Sequence, residues 1–204
     1  MKRIILASQS GRRSLILNSC SIPHTVWPSD AEEEHRDTER PGGLVMLNAK
    51  RKAEAVAGNG GRGIIIGVDT LVLFKGRMAG KPRAKSEAKK MLAAFSGRRI
   101  TVYSGICVID TWSSKQASGF EKTMLRVKMI PHGDIDRYFR LLGPYDKAGG
   151  FSIEGVGSIV FDDITGSYFN VLGLPMGKLQ GLFNRIGLDL LDFVKRRHTM
   201  IKAE

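Results

Sequence analysis

The sequence predicts an α/β protein built on a mixed sheet, and three observations carry that reading. Strand and helix signals alternate early, with the apolar run Ile4, Ile5, Leu6 leading into a one-sided apolar segment around Leu15, Ile16 and Leu17. The continuous run Ile64, Ile65, Ile66 has the character of a strand covered on both faces. Two long β-rich stretches, 100–110 and 120–130, follow one another across a polar connection at 111–119 and are expected to pair antiparallel. Early alternation gives parallel neighbours and the later stretches give antiparallel ones, so one sheet holds both.

The elements follow in order. After the first helix, a short strand is expected at 25–27, then an exposed, Pro/Gly-bounded acidic loop centred on Glu32, Glu33 and Glu34. A helix over 43–57 follows, with Leu44, Leu47 and Val56 on its buried side, Lys50, Arg51 and Lys52 along it, and Asn59, Gly60 and Gly61 as its stop. The isoleucine strand delivers Asp69 and Thr70 near its end. Lys75-Gly76 reads as a turn, Gly80-Lys81-Pro82 as a constrained loop, and Ser86 as the cap of a helix ending at Gly97. Beyond the antiparallel pair, Asp134 caps a helix through Leu142, the glycine-dense segment 143–161 is loop and strand, and Pro175 sits in the first turn of the last helix.

A chain of 204 residues with 42% hydrophobic content supports a substantial core, and without repeats or low-complexity stretches residues 1–204 read as one domain. Thirty-two Lys and Arg against 20 Asp and Glu give +12, which points to a polyanionic partner: nucleic acid, an acidic membrane surface or a phosphorylated small molecule. The basic end Lys195, Arg196, Arg197, His198 reads as a solvated helix end. Cys20 and Cys107 stand far apart without metal-ligand spacing, so neither disulfide nor zinc is expected and a reducing cytoplasm is the natural location. No run approaches the length of a membrane span.

Four places could carry chemistry. Ser8, Gln9, Ser10, Gly11, Arg12 and Arg13 lie where a strand meets a helix start, which brings backbone N–H groups and two guanidiniums to one place and suits an anion such as phosphate; the alternative is a Ser10 cap with solvated arginines. Asp69 follows an apolar run, an expensive place for charge unless it binds a ligand, caps a turn or pairs with a lysine, and Thr70 beside it can bond to phosphate or to Asp69. Lys81 is either a solvated loop lysine or an ammonium held against an anion by Pro82. Glu33 belongs either to a solvated charge run or to a magnesium site, since Mg²⁺ takes one or two carboxylates together with substrate phosphates. No nucleophile stands with a partner base, and neither a GxSxG nor an HExxH pattern occurs, so direct attack by water fits the inventory better than covalent catalysis.

Seven segments together resemble the Maf family of nucleoside triphosphate pyrophosphatases: LASQSGRR at 6–13, KA at 52–53, GVDTLV at 67–72, GKP at 80–82, MLAAFSG at 91–97, DKAGGFSIEG at 146–155 and GSYFNVLGLP at 166–175. The resemblance spans nearly the whole chain. It implies an elongated, two-lobed mixed α/β fold with a central cleft, similar to inosine triphosphate pyrophosphatases, and hydrolysis of a nucleoside triphosphate to monophosphate and pyrophosphate. It also implies a divalent cation, Mg or Mn, a cytoplasmic setting and a homodimer. By this resemblance Ser8, Arg12, Arg13, Lys52 and Lys81 bind phosphates, Asp69 is catalytic, Glu33 and Asp69 hold the metal, Thr70 lines the cleft and Glu154 reads the base.

Two positions depart from the family pattern. Gly11 stands where proline is usual, and Glu154 where glutamine is usual. The Arg12-Arg13 and Asp69-Thr70 pairs look like the branch acting on dTTP and UTP, whereas a glutamate at 154 looks like the branch acting on 7-methyl-GTP. The dTTP/UTP reading is placed first. A non-catalytic nucleic-acid-binding module is the rival from another class, and only 7% aromatic content argues against it.

Overall fold

The computed structural model describes residues 2–35, 40–143, 145 and 147–195. The basic end at 196–198 and Asp146 of the 146–155 segment lie outside the described residues. Strands β1 (Ile4–Ala7), β2 (His24–Val26), β3 (Ile64–Phe74), β4 (Arg77–Met78), β5 (Arg99–Asp110), β6 (Lys115–Val127) and β7 (Phe161–Thr165) form one mixed sheet. Its order is β2-β1-β3-β5-β6-β7, with β4 folded back on the end of β3. The helices are α1 (Gly11–Ser19), α2 (Pro41–Gly58), α3 (Lys85–Phe95), α4 (Ile135–Leu141), α5 (Tyr168–Val171) and α6 (Met176–Arg185).

Strand β3 is the hinge of the topology. On one edge it pairs parallel with β1 only as far as Ala7 opposite Gly67, where β1 leaves the sheet for α1. On the other it pairs antiparallel with β5 all the way to Leu73 opposite Thr101. Between Val68 and Leu71, therefore, β3 has one paired edge and one edge that β1 has vacated and β4 has not yet taken up. Loops and helix starts fill such places with polar groups, as at the switch points of other open sheets.

The two faces of the sheet bury different cores. Ile4, Leu6, Ile64, Ile66, Val102, Ile106 and Val108 belong to the large cluster shared with α1, α3 and α6. Ile5, Ala7, Ile65 and Cys107 face Ala49, Ala53 and Val56 of α2. Helix α2 lies very close to the sheet because two strand positions lack side chains: a Cβ on Gly67 would stand 2.0 Å from the Ala49 carbonyl oxygen, and one on Gly105 would stand 2.2 Å from that of Val45. Gly105 is the cross-strand partner of Asp69. The close approach thus sets the next turns of α2 directly over Asp69.

Several expected boundaries move. Helix α2 begins at Pro41, with proline at its first position, and Leu47 is exposed rather than buried because the face toward the sheet is Leu44, Val45, Asn48, Ala49, Lys52, Ala53 and Val56. Ala84, not Ser86, precedes α3, which ends at Phe95 ahead of left-handed Gly97. The β5–β6 connection is shorter than the expected 111–119, since β6 already starts at Lys115 and the hairpin closes through the left-handed Ser114. Strand β2 runs 24–26, and Trp27 adds a backbone bond to Leu6. Asp134 precedes α4 without a side-chain cap bond, α4 stops at Leu141, and Pro175 stands just before α6 rather than within its first turn. Asp69 lies at mid-strand in an eleven-residue strand; what ends near it is the pairing with β1.

Candidate active site

The Val68 carbonyl marks the vacated edge. With no strand opposite, it accepts from Arg13 Nη1 at 3.1 Å and from Lys52 Nζ at 3.2 Å. A buried carbonyl left unpaired would cost its full desolvation, and here two cations arriving from different elements satisfy it. Arg13 comes from α1 and Lys52 from α2, so this single oxygen draws together the helix that follows β1 and the helix that covers β3.

Beyond it, residues 69 and 70 point to opposite faces, as successive strand residues must. On the α2 face, Asp69 Oδ1 accepts from Lys52 Nζ at 2.9 Å and Oδ2 from Asn48 Nδ2 at 3.0 Å. Lys52 Nζ also meets Glu33 Oε1 at 2.6 Å, and Glu33 Oε2 lies 3.3 Å from His35 Nε2. An ammonium held between two carboxylates offsets the burial of Asp69, which is 7% exposed. The acidic loop expected in solvent is therefore half-buried against α2, with Asn48 gripping the Glu34 backbone at both N–H and C=O.

On the other face Thr70 is part of a closed relay. Ser104 Oγ donates to the Asn170 carbonyl, so Thr70 donates to Ser104 at 2.9 Å while accepting from Arg13 Nη2 at 3.0 Å. Arg13 also donates from Nη1 to Ser8 Oγ at 2.6 Å and from Nε to the Gly173 carbonyl at 3.0 Å. Its guanidinium is thus spent on four protein oxygens rather than held open to solvent. Burial lowers its pKa to about 10, against the raising influence of Asp69 and Glu33, so it stays charged at neutral pH. Arg13 braces the loop, whereas Arg12 is half-buried and Lys81 exposed.

These groups border a cleft of about 970 Å³ whose lining includes the 8–13 loop, Lys52, Asp69, Lys81 and Lys147. A second chamber of about 590 Å³ shares Glu33, Asp69, Thr70 and Lys81 and continues toward Leu44, Leu71 and Met78. Ser8, Arg12, Arg13, Glu33, Lys52, Asp69, Thr70 and Lys81 thus border one space. Glu154 does not: it is exposed, its carboxylate accepts from its own neighbour Ser152, and Phe151 and Ile153 are the parts of that segment that line the cleft. Asn48 was missed from the sequence. Its signal was the four-residue spacing Leu44, Asn48, Lys52, Val56, which puts an amide and an ammonium on one helix face.

For a divalent cation, Glu33 and Asp69 offer carboxylates that converge on the same ammonium. Among the described residues no group of three or more His, Cys, Asp or Glu side chains is arranged to hold a metal ion. The donor set fits a hard cation that takes one or two carboxylates and completes its sphere with phosphates and water, and does not fit a closed protein cage.

A cleft bordered by a buried carboxylate, by cations and by a helix start is the kind of site in which an α/β protein can hold a polyanion. The chain belongs to the Maf-like protein family, whose profile matches residues 3–186. It is 38% identical over 190 residues to a dTTP/UTP pyrophosphatase of Bacillus cereus (strain G9842), covering 93% of this chain and 98% of that protein. It is 36% identical over 195 residues to a dTTP/UTP pyrophosphatase of Caldicellulosiruptor saccharolyticus, covering 94% and 98%. A solved structure, the nucleoside-triphosphatase / dITP/XTP pyrophosphatase of Mycobacterium abscessus, aligns over 63% of this chain and 76% of that one with a TM-score of 0.39 and 15% identity, a likeness too slight to carry an argument. No helix among the described residues is long and apolar enough to cross a membrane.

Proposed function

We propose that this protein hydrolyses nucleoside triphosphates, dTTP and UTP first among them, to the monophosphate and pyrophosphate. The observation that carries the reading is the gathering of the 8–13 loop, Lys52, Asp69 and Lys81 around one cleft in a chain that aligns end to end with dTTP/UTP pyrophosphatases. Water adds at the α-phosphorus, the α–β bridging bond breaks, and pyrophosphate leaves with its charge balanced by cations. In that scheme Arg12, Lys81 and the N–H groups at the start of α1 bind phosphate oxygens. Arg13 and Ser8 hold the loop in shape, and Asp69 orients the water and accepts its proton. Glu33 and Asp69 would hold a divalent cation, Mg or Mn, which when bound neutralises phosphate charge. Residues 1–204 act as a single domain in the cytoplasm, as a homodimer.

The test is purified protein with a panel of nucleoside triphosphates and Mg²⁺ or Mn²⁺, scoring pyrophosphate and orthophosphate separately. Pyrophosphate released in step with monophosphate is expected. Orthophosphate alone overturns the reaction, and tight RNA binding without turnover favours the nucleic-acid-binding module.

A further inference from the structure

Asn48 is buried at 2% exposure on a helix face whose other sheet-facing members, Lys52 apart, are small or apolar: Leu44, Val45, Ala49, Ala53 and Val56. A buried amide there costs free energy unless all its groups are used. The hydrogen-bond pattern also fixes which end of the amide is which. The Glu34 N–H can only donate, so the Asn48 atom facing it at 2.9 Å is Oδ1. Nδ2 then carries two N–H groups, and both are occupied: one goes to the Glu34 carbonyl at 3.0 Å, the other to Asp69 Oδ2 at 3.0 Å. No rotated amide satisfies all three partners.

The consequence is a rigid link between two parts of the site that the backbone leaves separate. Glu34 lies beside Glu33 and His35 on an irregular loop, whereas Asp69 lies at a buried position of strand β3. Lys52, one helical turn from Asn48, joins the same two parts by charge, touching Glu33 and Asp69. Lysine is a flexible point charge, and alone it would let both carboxylates turn about it. The planar amide adds direction: it fixes the Asp69 carboxylate from one oxygen and locks the acidic loop by its main chain.

We infer that Asn48 is a positioning residue, setting Asp69 and the acidic loop as one unit toward the cleft. This rests on the pyrophosphatase reading for its effect on turnover, but not for the link itself. Two substitutions separate its parts. Asn48→Leu keeps the branch at Cγ and removes every polar bond. Asn48→Asp keeps an oxygen for the Glu34 N–H and faces Asp69, Lys52 and, through Lys52, Glu33 with a second carboxylate.

Amide exchange without nucleotide reads the link, and kcat set against KM for dTTP with Mg²⁺ reads the positioning. In Asn48→Leu the Glu34 amide loses protection and kcat falls roughly ten- to a hundredfold, the range for a bond to a charged group, with KM changed less than about threefold. In Asn48→Asp the Glu34 amide stays protected while kcat falls as far at neutral pH. An unchanged Glu34 amide in Asn48→Leu overturns the link whatever the activity. Unimpaired kcat in either variant, or a KM raised as far as kcat falls, overturns the positioning. Failure of the wild type to release pyrophosphate overturns the pyrophosphatase reading and the positioning with it, while the exchange result still decides the link.

Discussion

Asp69 and Asp110 are both buried aspartates in the same sheet, each following an apolar run and each holding a lysine. Asp110, 1% exposed, accepts from Lys2 Nζ at 2.6 Å, Ser113 Oγ at 2.7 Å and the Trp112 N–H at 3.0 Å. Two of those donors are its own sequence neighbours in the β5–β6 turn, so the carboxylate closes a hairpin and ties down the chain's start. Asp69 draws its donors from a helix and borders two chambers. The difference lies in the strand edge. Asp110 sits where β5 is paired on both sides, opposite Ile64 and Lys115, whereas Asp69 sits two residues past the point where β1 has left β3. A buried carboxylate is not by itself a site; a buried carboxylate beside a vacated edge is a candidate for one.

The sharpest way to break this comparison is to neutralise each carboxylate. Asp69→Asn is expected to keep the fold and lose roughly two to four orders of magnitude in turnover, the span for removing a positioned acid–base group; turnover per folded molecule checks it, and an unimpaired variant removes Asp69 from the mechanism. Asp110→Asn is expected to do the opposite, losing about 2 kcal/mol of stability with activity per folded molecule preserved. Burial raises the Asp110 pKa, but the bonds from Lys2, Ser113 and Trp112 outweigh it and the net direction is down from 3.8. A depressed folded value means the stabilisation is present above the ordinary value and lost as pH falls through the lower one. Acid unfolding as the pH falls below the ordinary carboxylate value should therefore be steeper in the wild type than in Asp110→Asn, as read by circular dichroism.

Smaller effects sharpen the contrast between open and enclosed cations. Lys81→Ala is expected to cost about tenfold in turnover with no loss of thermal stability, because the side chain is exposed and spends its charge only on a ligand. Arg13→Ala should instead lower the melting temperature along with activity, since four protein oxygens lose their donor. Gly11→Ala, at a helix start where an added Cβ meets nothing within 4 Å, is expected to stabilise by about 0.5 kcal/mol in a denaturant titration. Glu154→Gln is expected to leave the dTTP to 7-methyl-GTP ratio within about twofold, as surface substitutions do; a shift of tenfold or more restores Glu154 as a reader of the base.

Much of this was legible in the sequence because it was local. The isoleucine run gave β3, the polar interruption after Leu6 gave the strand-to-helix loop, and the charge of Asp69 after apolar residues singled it out. The same rule applied to Asp110 after Ile109 would have singled out a structural residue, because pairing on the second strand edge is a long-range fact. Gly67 and Gly105 read as ordinary strand glycines until α2 is seen lying on them. Asn48 drew no reading, and Arg13 was expected beside Arg12 as a second phosphate-binding guanidinium, because neither sequence position reveals which oxygens surround it. Glu154 followed from the resemblance alone, and the turn of its segment, with Phe151 and Ile153 inward, cannot be read from spacing in an irregular loop.

The central claim is that water attacks the α-phosphorus in the cleft at Asp69. Hydrolysis of dTTP in oxygen-18-enriched water tests it most directly, with the products separated and weighed by mass spectrometry. The expected result is one heavy oxygen in the monophosphate and none in pyrophosphate; heavy oxygen in pyrophosphate, or in released orthophosphate, contradicts it.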